Sequence, residues 1–182
     1  MATQNSINLT AGSNITLTPS GSGLSIAAGP TPQGFTVYVS DNIPNFCGNT
    51  TPEVIVKADS NVFNEGFAYD SSTGLFTAPV KGYYLFCGAA AISNITIGDS
   101  FAACINDPFG NIWQGSLVNP TVSKDGNGVV SSNVSVVFYM DVSTQVSFCV
   151  RSTGEASDSQ TLLASSGVYP TYFSGMLLFE LP

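Results

Sequence analysis

Three stretches of this chain are apolar at consecutive positions where a half-exposed strand would alternate: residues 83–92, 134–140 and 173–181. A strand with one face in water has a side-chain period of two, so an unbroken apolar run needs cover on both sides. No segment shows a sustained 3.6-residue period, so helices cannot supply that second layer. Either another subunit covers these strands, or long loops lie over them in the middle of a sheet. The first run begins inside the stretch NEGFAYDSSTGLFTAPVKGYYLF, residues 64–86. There two strand segments, 75–78 and 82–86, meet at a turn between Pro79 and Gly82, just after a polar turn over 70–74. Pro79 lacks an N–H for a ladder and ends the first segment.

Further strands are expected at residues 35–40, 53–58, 100–105, 112–117, 129–142, 145–151 and 172–181, separated by turns at 107–110, 124–128 and 141–144. That rhythm of short strands and Gly/Asn/Asp turns is the signature of an all-β sandwich. Residues 41–51 and 152–170 read as polar loops. Residues 1–33 differ from the rest, holding no charge and no aromatic ring. They repeat a short alternation (Ile7 and Leu9, Ile15 and Leu17, Leu24 and Ile26) and end in a Gly/Pro boundary at 29–34. Such a strip buries too little surface to fold alone. It is either a flexible leader or a β-rich stalk that orders against copies of itself or a docking partner. A head of residues 34–182 follows.

Composition narrows the chemistry. Four basic residues against twelve acidic ones give a net charge of −8 in 182 residues, which leaves no track for nucleic acid. No run of 18 apolar residues predicts membrane insertion. The first ten residues have neither a basic nor an apolar signal region, so synthesis in a cytoplasm is expected. The sequons at Asn8, Asn14, Asn49, Asn94 and Asn133 should then stay bare. The chain has no histidine, so Ser-His-Asp and Cys-His nucleophiles cannot be built from it. Half of the acids (Asp41, Asp70, Asp125, Asp141, Glu155, Asp158) fall in turns, where they cap backbone rather than transfer protons. No enzymatic activity is expected. Cys47, Cys87, Cys104 and Cys149 fit no zinc spacing and are expected as free, buried thiols, with a Cys87–Cys149 disulfide as the alternative.

The spacing Asn64-x4-Tyr69-x6-Phe76-x5-Gly82-x-Tyr84-x-Phe86, with the ending Phe173-Ser-Gly-Met-Leu-Leu-Phe179, resembles the C1q-like domain, the globular head of the C1q/TNF superfamily. The similarity covers residues 34–182. It departs at Ala58 and Gly88, where the family carries aromatics, and no collagen-like Gly-X-Y tract is present. The resemblance implies a jelly-roll sandwich of two antiparallel sheets assembling as a homotrimer. Tyr83, Tyr84, Phe86, Phe138, Phe173 and Leu178 are its expected interface or core residues. Some C1q-like heads bind calcium. Here no dense acidic motif supports such a site, Asp107 and Asp125 are its sole candidate ligands, and no other cofactor is expected.

Ligand contacts are expected from loops at one end of the sandwich, at Asn45, Asn106, Trp113, Asn127, Tyr169 and Tyr172. Trp113 reads first as a core or interface side chain, with a sugar-stacking platform as the alternative. A signal-less β-repeat leader before such a head points to a phage or viral appendage on the virion surface. In it, residues 1–33 dock on a capsid or tail protein, and the head decorates the particle or adheres to a host-surface glycan or protein. The alternative is a soluble, extracellular C1q-like lectin of cellular origin.

Overall fold

A computed structural model describes residues 15–20, 23–28, 33–48, 53–119, 128–153, 159–165 and 170–182. The chain forms two compact units, Met1–Pro32 and Gln33–Pro182. In the first, β1 (Ile15–Ser20) and β2 (Gly23–Ala28) make an antiparallel hairpin with Ile15 opposite Ala28 and Ser20 opposite Gly23. Two of the three sequence repeats supply these strands. The repeat at Ile7 and the boundary at 29–32 lie outside the described residues.

The second unit contains β3 (Gly34–Tyr38), β4 (Ile43–Cys47), β5 (Glu53–Ile55), β6 (Ser60–Asn64), β7 (Tyr69–Asp70), β8 (Leu75–Thr77) and β9 (Gly82–Ser93). It continues with β10 (Ser100–Asn106), β11 (Ile112–Gln114), β12 (Val130–Met140), β13 (Gln145–Thr153), β14 (Gln160–Leu162) and β15 (Tyr172–Glu180). Among the described residues the one helical element is a 3-10 turn, Glu65–Phe67. All pairings are antiparallel, and they build two sheets. β9 is the hub of the first sheet: β12 runs along one side of it, and β15 and β14 share the other. β15 leads on to β3 and β6, and β14 to β4. In the second sheet β13 pairs with β10, which carries β11, while β8 and β5 lie along the other side of β13.

The sheets close over an aromatic core. Phe35, Tyr69, Phe76, Tyr84, Phe86, Phe148 and Phe173 are all buried. Phe35 stacks on Phe76 at 5.0 Å, and Phe173 lies 5.9 Å from Phe86 and 5.6 Å from Phe148. Each ring of this kind stabilises the fold by roughly 1.5–3 kcal/mol through burial. The 64–86 spacing has a local cause at each position. The Asn64 side chain donates to the Tyr69 carbonyl at 2.9 Å and accepts from the Tyr69 N–H at 3.2 Å, clamping the 3-10 turn. The Ala58 N–H donates to the Tyr69 hydroxyl at 2.9 Å, and burial pushes that phenol up to about 12. Tyr84 donates to the Val80 carbonyl at 2.7 Å across the Pro79 turn. A Cβ on Gly82 would stand 2.5 Å from the Phe179 carbonyl oxygen.

The jelly-roll sandwich expected from the sequence is present, with several corrections. The run 83–92 is buried on both faces over Ala89–Ile92, as expected; before that point, and in the other two runs, exposure alternates, with Tyr84 and Phe86 inside and Tyr83 outside. Phe138 lies on the inner side of β12, 5.2 Å from Phe86, and so does not face outward. Two segments read as loops contain strands. β4 and β14 pair with each other there, and Leu162 and Gln160 are buried. The Cys47 thiol donates to the Gln160 amide oxygen at 3.2 Å, a contact between segments far apart in sequence. Cys104 and Cys149 are joined by a disulfide, with Cα atoms 5.1 Å apart. They face each other directly in the β10–β13 ladder, so neither is a free thiol and Cys149 is not available to Cys87.

Gly88, the departure from the family spacing, is explained by Phe148. A Cβ at position 88 would meet the Phe148 ring at 2.5 Å, so the facing sheet supplies the aromatic mass that β9 lacks. Replacing Gly88 by Val should lower stability by about 1–3 kcal/mol through overpacking, and Phe86→Ala by about 3–5 kcal/mol through the cavity it leaves. Urea unfolding midpoints measure both.

Candidate functional site

Strand alternation puts a continuous apolar strip on the outer face of the first sheet. Tyr139 of β12 and Phe179 of β15 both stand opposite Tyr83 of β9. The three rings touch in a row, with Tyr83 5.9 Å from Tyr139 and 4.9 Å from Phe179. The next row is Val137, Leu85 and Met176. A bulge between Leu177 and Phe179 adds Leu178 to the edge of the strip. Phe179 is 53% exposed, Val137 51%, Met176 49% and Leu178 46%. Apolar side chains contiguous across three strands mark an interaction surface, whereas isolated ones do not. At the end of the strip the Tyr139 hydroxyl donates to the Asp141 carboxylate, which pushes the phenol up to about 12.

The interface-or-core residues expected from sequence therefore separate by parity. Tyr84, Phe86 and Phe173 are core, Phe138 packs beneath the sheet, and Tyr83 and Leu178 belong to the strip. Val137, Tyr139, Met176 and Phe179 are not among the interface residues expected from sequence. The alternation within 134–140, phased by the turn at 141–144, carries the signal for Val137 and Tyr139.

The loops do not gather at one end. The turn between β10 and β11 lies at the end of the sandwich that carries the 141–144 turn, because Asn106 pairs with Ser147 near the start of β13. Asn45, exposed and with φ 54°, belongs to β4, which through β14 joins the opposite end of β9. Tyr172 is not a loop residue; it is half-buried in β15 between Ala89 and Tyr38. Asn127, Tyr169 and Asp125 lie outside the described residues.

Asp107 has a structural task. Its Oδ1 accepts the N–H groups of Phe109 and Asn111, both at 2.8 Å, and its Oδ2 accepts the Asn111 amide and the Trp113 indole N–H, both at 2.9 Å. Burial alone would raise its pKa. The four donors outweigh that and hold the carboxyl below the ordinary carboxylate value. Both oxygens are committed, so the carboxylate that sequence offered to calcium is the anchor of the β10–β11 turn. Trp113, 45% exposed, is held by the same carboxylate with its ring at the sheet edge. Among the described residues no three His, Cys, Asp or Glu side chains converge on a metal position.

The C1q domain family model matches residues 35–178, most of the chain. The chain belongs to the C1q domain family. The C1q-like unit is similar in fold to the globular domain of zebrafish complement 1qA protein, with a TM-score of 0.54 at 12% identity over 82% of this chain and 99% of that one. It is also similar to murine APRIL. The TM-score is 0.52 at 9% identity for the pH 5.0 structure and 0.50 at 10% for the pH 8.5 structure, each over 81% of this chain and all of that one. No curated protein matches it in sequence. At such identities only the jelly roll is shared.

Because Asp107 has a depressed pKa in the fold, it stabilises the protein above the unfolded carboxylate value. That contribution fades as pH falls through the folded value. Asp107→Asn should cost about 1–2 kcal/mol at neutral pH. The difference from the parent should shrink below about pH 4. Acid and urea titrations followed by Trp113 fluorescence read both effects.

Proposed function

We propose that the C1q-like unit is the non-catalytic head of a homotrimer, carried on a virion as a fibre, spike or decoration protein. In this role, residues 1–33 attach the head to a capsid or tail protein. The head then meets a host-surface glycan or protein, or stabilises the capsid. The observation that carries the assembly is the strip of Tyr83, Val137, Tyr139, Met176, Leu178 and Phe179 on one sheet face. An apolar surface spanning three strands is costly in water, and covering it with neighbouring copies removes that cost. The C1q resemblance supports a three-fold arrangement of those copies. Three heads on one axis turn weak contacts into useful avidity.

The Cys104–Cys149 disulfide supports a working site outside the reducing cytosol, which suits a virion surface and equally a secreted protein. It therefore favours a second reading, a soluble C1q-like lectin of cellular origin. Capsid or tail genes flanking the coding sequence are expected for the appendage. Glycans found on Asn94 or Asn133 of the natural protein would overturn it in favour of the secreted lectin.

Light scattering should give a mass three times the 18.9 kDa of one chain. Leu178→Asp, at an exposed strip position, should yield a folded species of lower mass. Phe138→Asp should unfold instead, because its ring is packed on Phe86. A parent protein that stays monomeric at micromolar concentration would overturn the trimer.

A further inference from the structure

The outer face of the second sheet holds a different surface. A hollow of about 200 Å³ is lined by Ser100, Gln114, Leu117, Arg151, Ser152 and Thr153. Register explains why four of these residues meet, while Ser152 lies on the inner face opposite Phe101 and Leu117 comes from the segment after β11. Ser100 stands opposite Thr153, Ala102 opposite Arg151, and Cys104 opposite both Cys149 and Gln114. Opposed residues of an antiparallel pair share a face, so the Ser100, Gln114, Arg151 and Thr153 side chains stand on one face together with the small, buried Ala102. The Cys104–Cys149 disulfide ties the two strands together on the same face, one pair further along. The frame is rigid, as a binding site requires.

Arg151 is one of four cations in a chain of net charge −8. Its Nε lies 3.5 Å from Glu53 Oε2, and Asn106 donates its amide N–H to Glu53 Oε1 at 3.0 Å. β5 places Glu53 opposite Arg151 in the ladder, so the guanidinium is oriented from one side through Nε. Its two Nη groups have no protein partner among the described residues. The Ser100 and Thr153 hydroxyls, hydrogen-bonded to each other, stand at one rim, and the exposed side chain of Leu117 adds an apolar edge.

We propose that this hollow binds the terminal acidic sugar of a glycan, a sialate or hexuronate. The carboxylate lies on the Arg151 Nη groups, the ring hydroxyls on Ser100, Thr153 and Gln114, and the apolar ring face against Leu117. Guanidinium nitrogens match a carboxylate in plane and in charge. One cation on a strongly acidic protein suits a monoanion and disfavours phosphate or clustered sulfate. The volume is below the range of drug-sized pockets, which limits the occupant to about one sugar ring. The site deepens the reading of the chain as a binding head and rests on it for avidity. All of its residues come from one protomer, so it is testable whatever the assembly.

The test is ligand-observed NMR on the full chain with methyl α-sialoside, galacturonic acid, their carboxyl methyl esters, galactose and acetate. Both sugar acids should bind, the esters and galactose should not, and acetate should compete far more weakly. Arg151→Gln should weaken binding by about tenfold or more. Arg151→Lys should fall between, because an ammonium lacks the planar fork. Arg151 is half exposed, so melting temperatures should move by no more than about 3 °C. If Arg151→Gln fails to fold, Ser100→Ala and Thr153→Val should each weaken binding several-fold. No binding of either acid, equal affinity in Arg151→Gln, or acetate competing as well as the sugars would each overturn the site. A trimer that binds neither acid overturns the site and leaves the assembly standing; a monomer that binds them does the reverse.

Discussion

The contact between Phe86 and its neighbours fixes the rest of the head. Phe86 touches Phe76 of β8, Phe138 of β12 and Phe173 of β15, together with Tyr84 of its own strand, so its contacts come from both sheets. Once that ring points inward, period-two geometry leaves no freedom for the rest of β9. Tyr84, Gly88, Ala90 and Ile92 follow it into the core, and Tyr83, Leu85 and Cys87 turn to the other face. β12 and β15 inherit the same phase through the ladder. A slip of one residue in any of the three strands would exchange core for surface along its length. The apolar strip is thus the second consequence of the packing that makes the core.

The same constraint accounts for what was legible in the sequence. The long strands could be read because each carries enough apolar residues to declare itself, and the 64–86 spacing was specific because each of its positions meets a separate steric or hydrogen-bonding demand. β4 and β14 could not be read. Gln160 and Cys47 are polar or small residues whose burial is decided by each other, across 113 positions of sequence. Local propensity carries no trace of such a pairing. The excess of apolar residues at 83–92 is legible as unusual, but an unbroken apolar run carries no phase, so sequence alone groups its core and outward residues together.

The disulfide illustrates a different limit. Counting cysteines leaves several pairings open, and spacing alone does not choose between them. What selects Cys104 and Cys149 is that β10 and β13 are neighbours and in register, a fact of topology. Asp107 shows the converse. Its position in an Asp-Pro-Phe-Gly turn was visible, yet a turn carboxylate and a metal ligand look alike until the donors around it are located. Four hydrogen bonds to two oxygens decide between them.

The two sheets have opposite outer faces, and that asymmetry constrains how such a head can work. The first sheet exposes rings and branched aliphatics with little polar relief; the second exposes hydroxyls, a carboxamide and one oriented guanidinium. A face of the first kind gains by being covered, since its water-exposed area is the cost of leaving it bare. A face of the second kind loses by being covered, because each polar group would need a partner of matched geometry. Assembly through the first sheet therefore leaves the second facing solvent in every copy. On the proposed reading the head would separate self-association from recognition by assigning one to each layer of the sandwich, and the alternation of side chains along β9 and β13 would be sufficient to produce both.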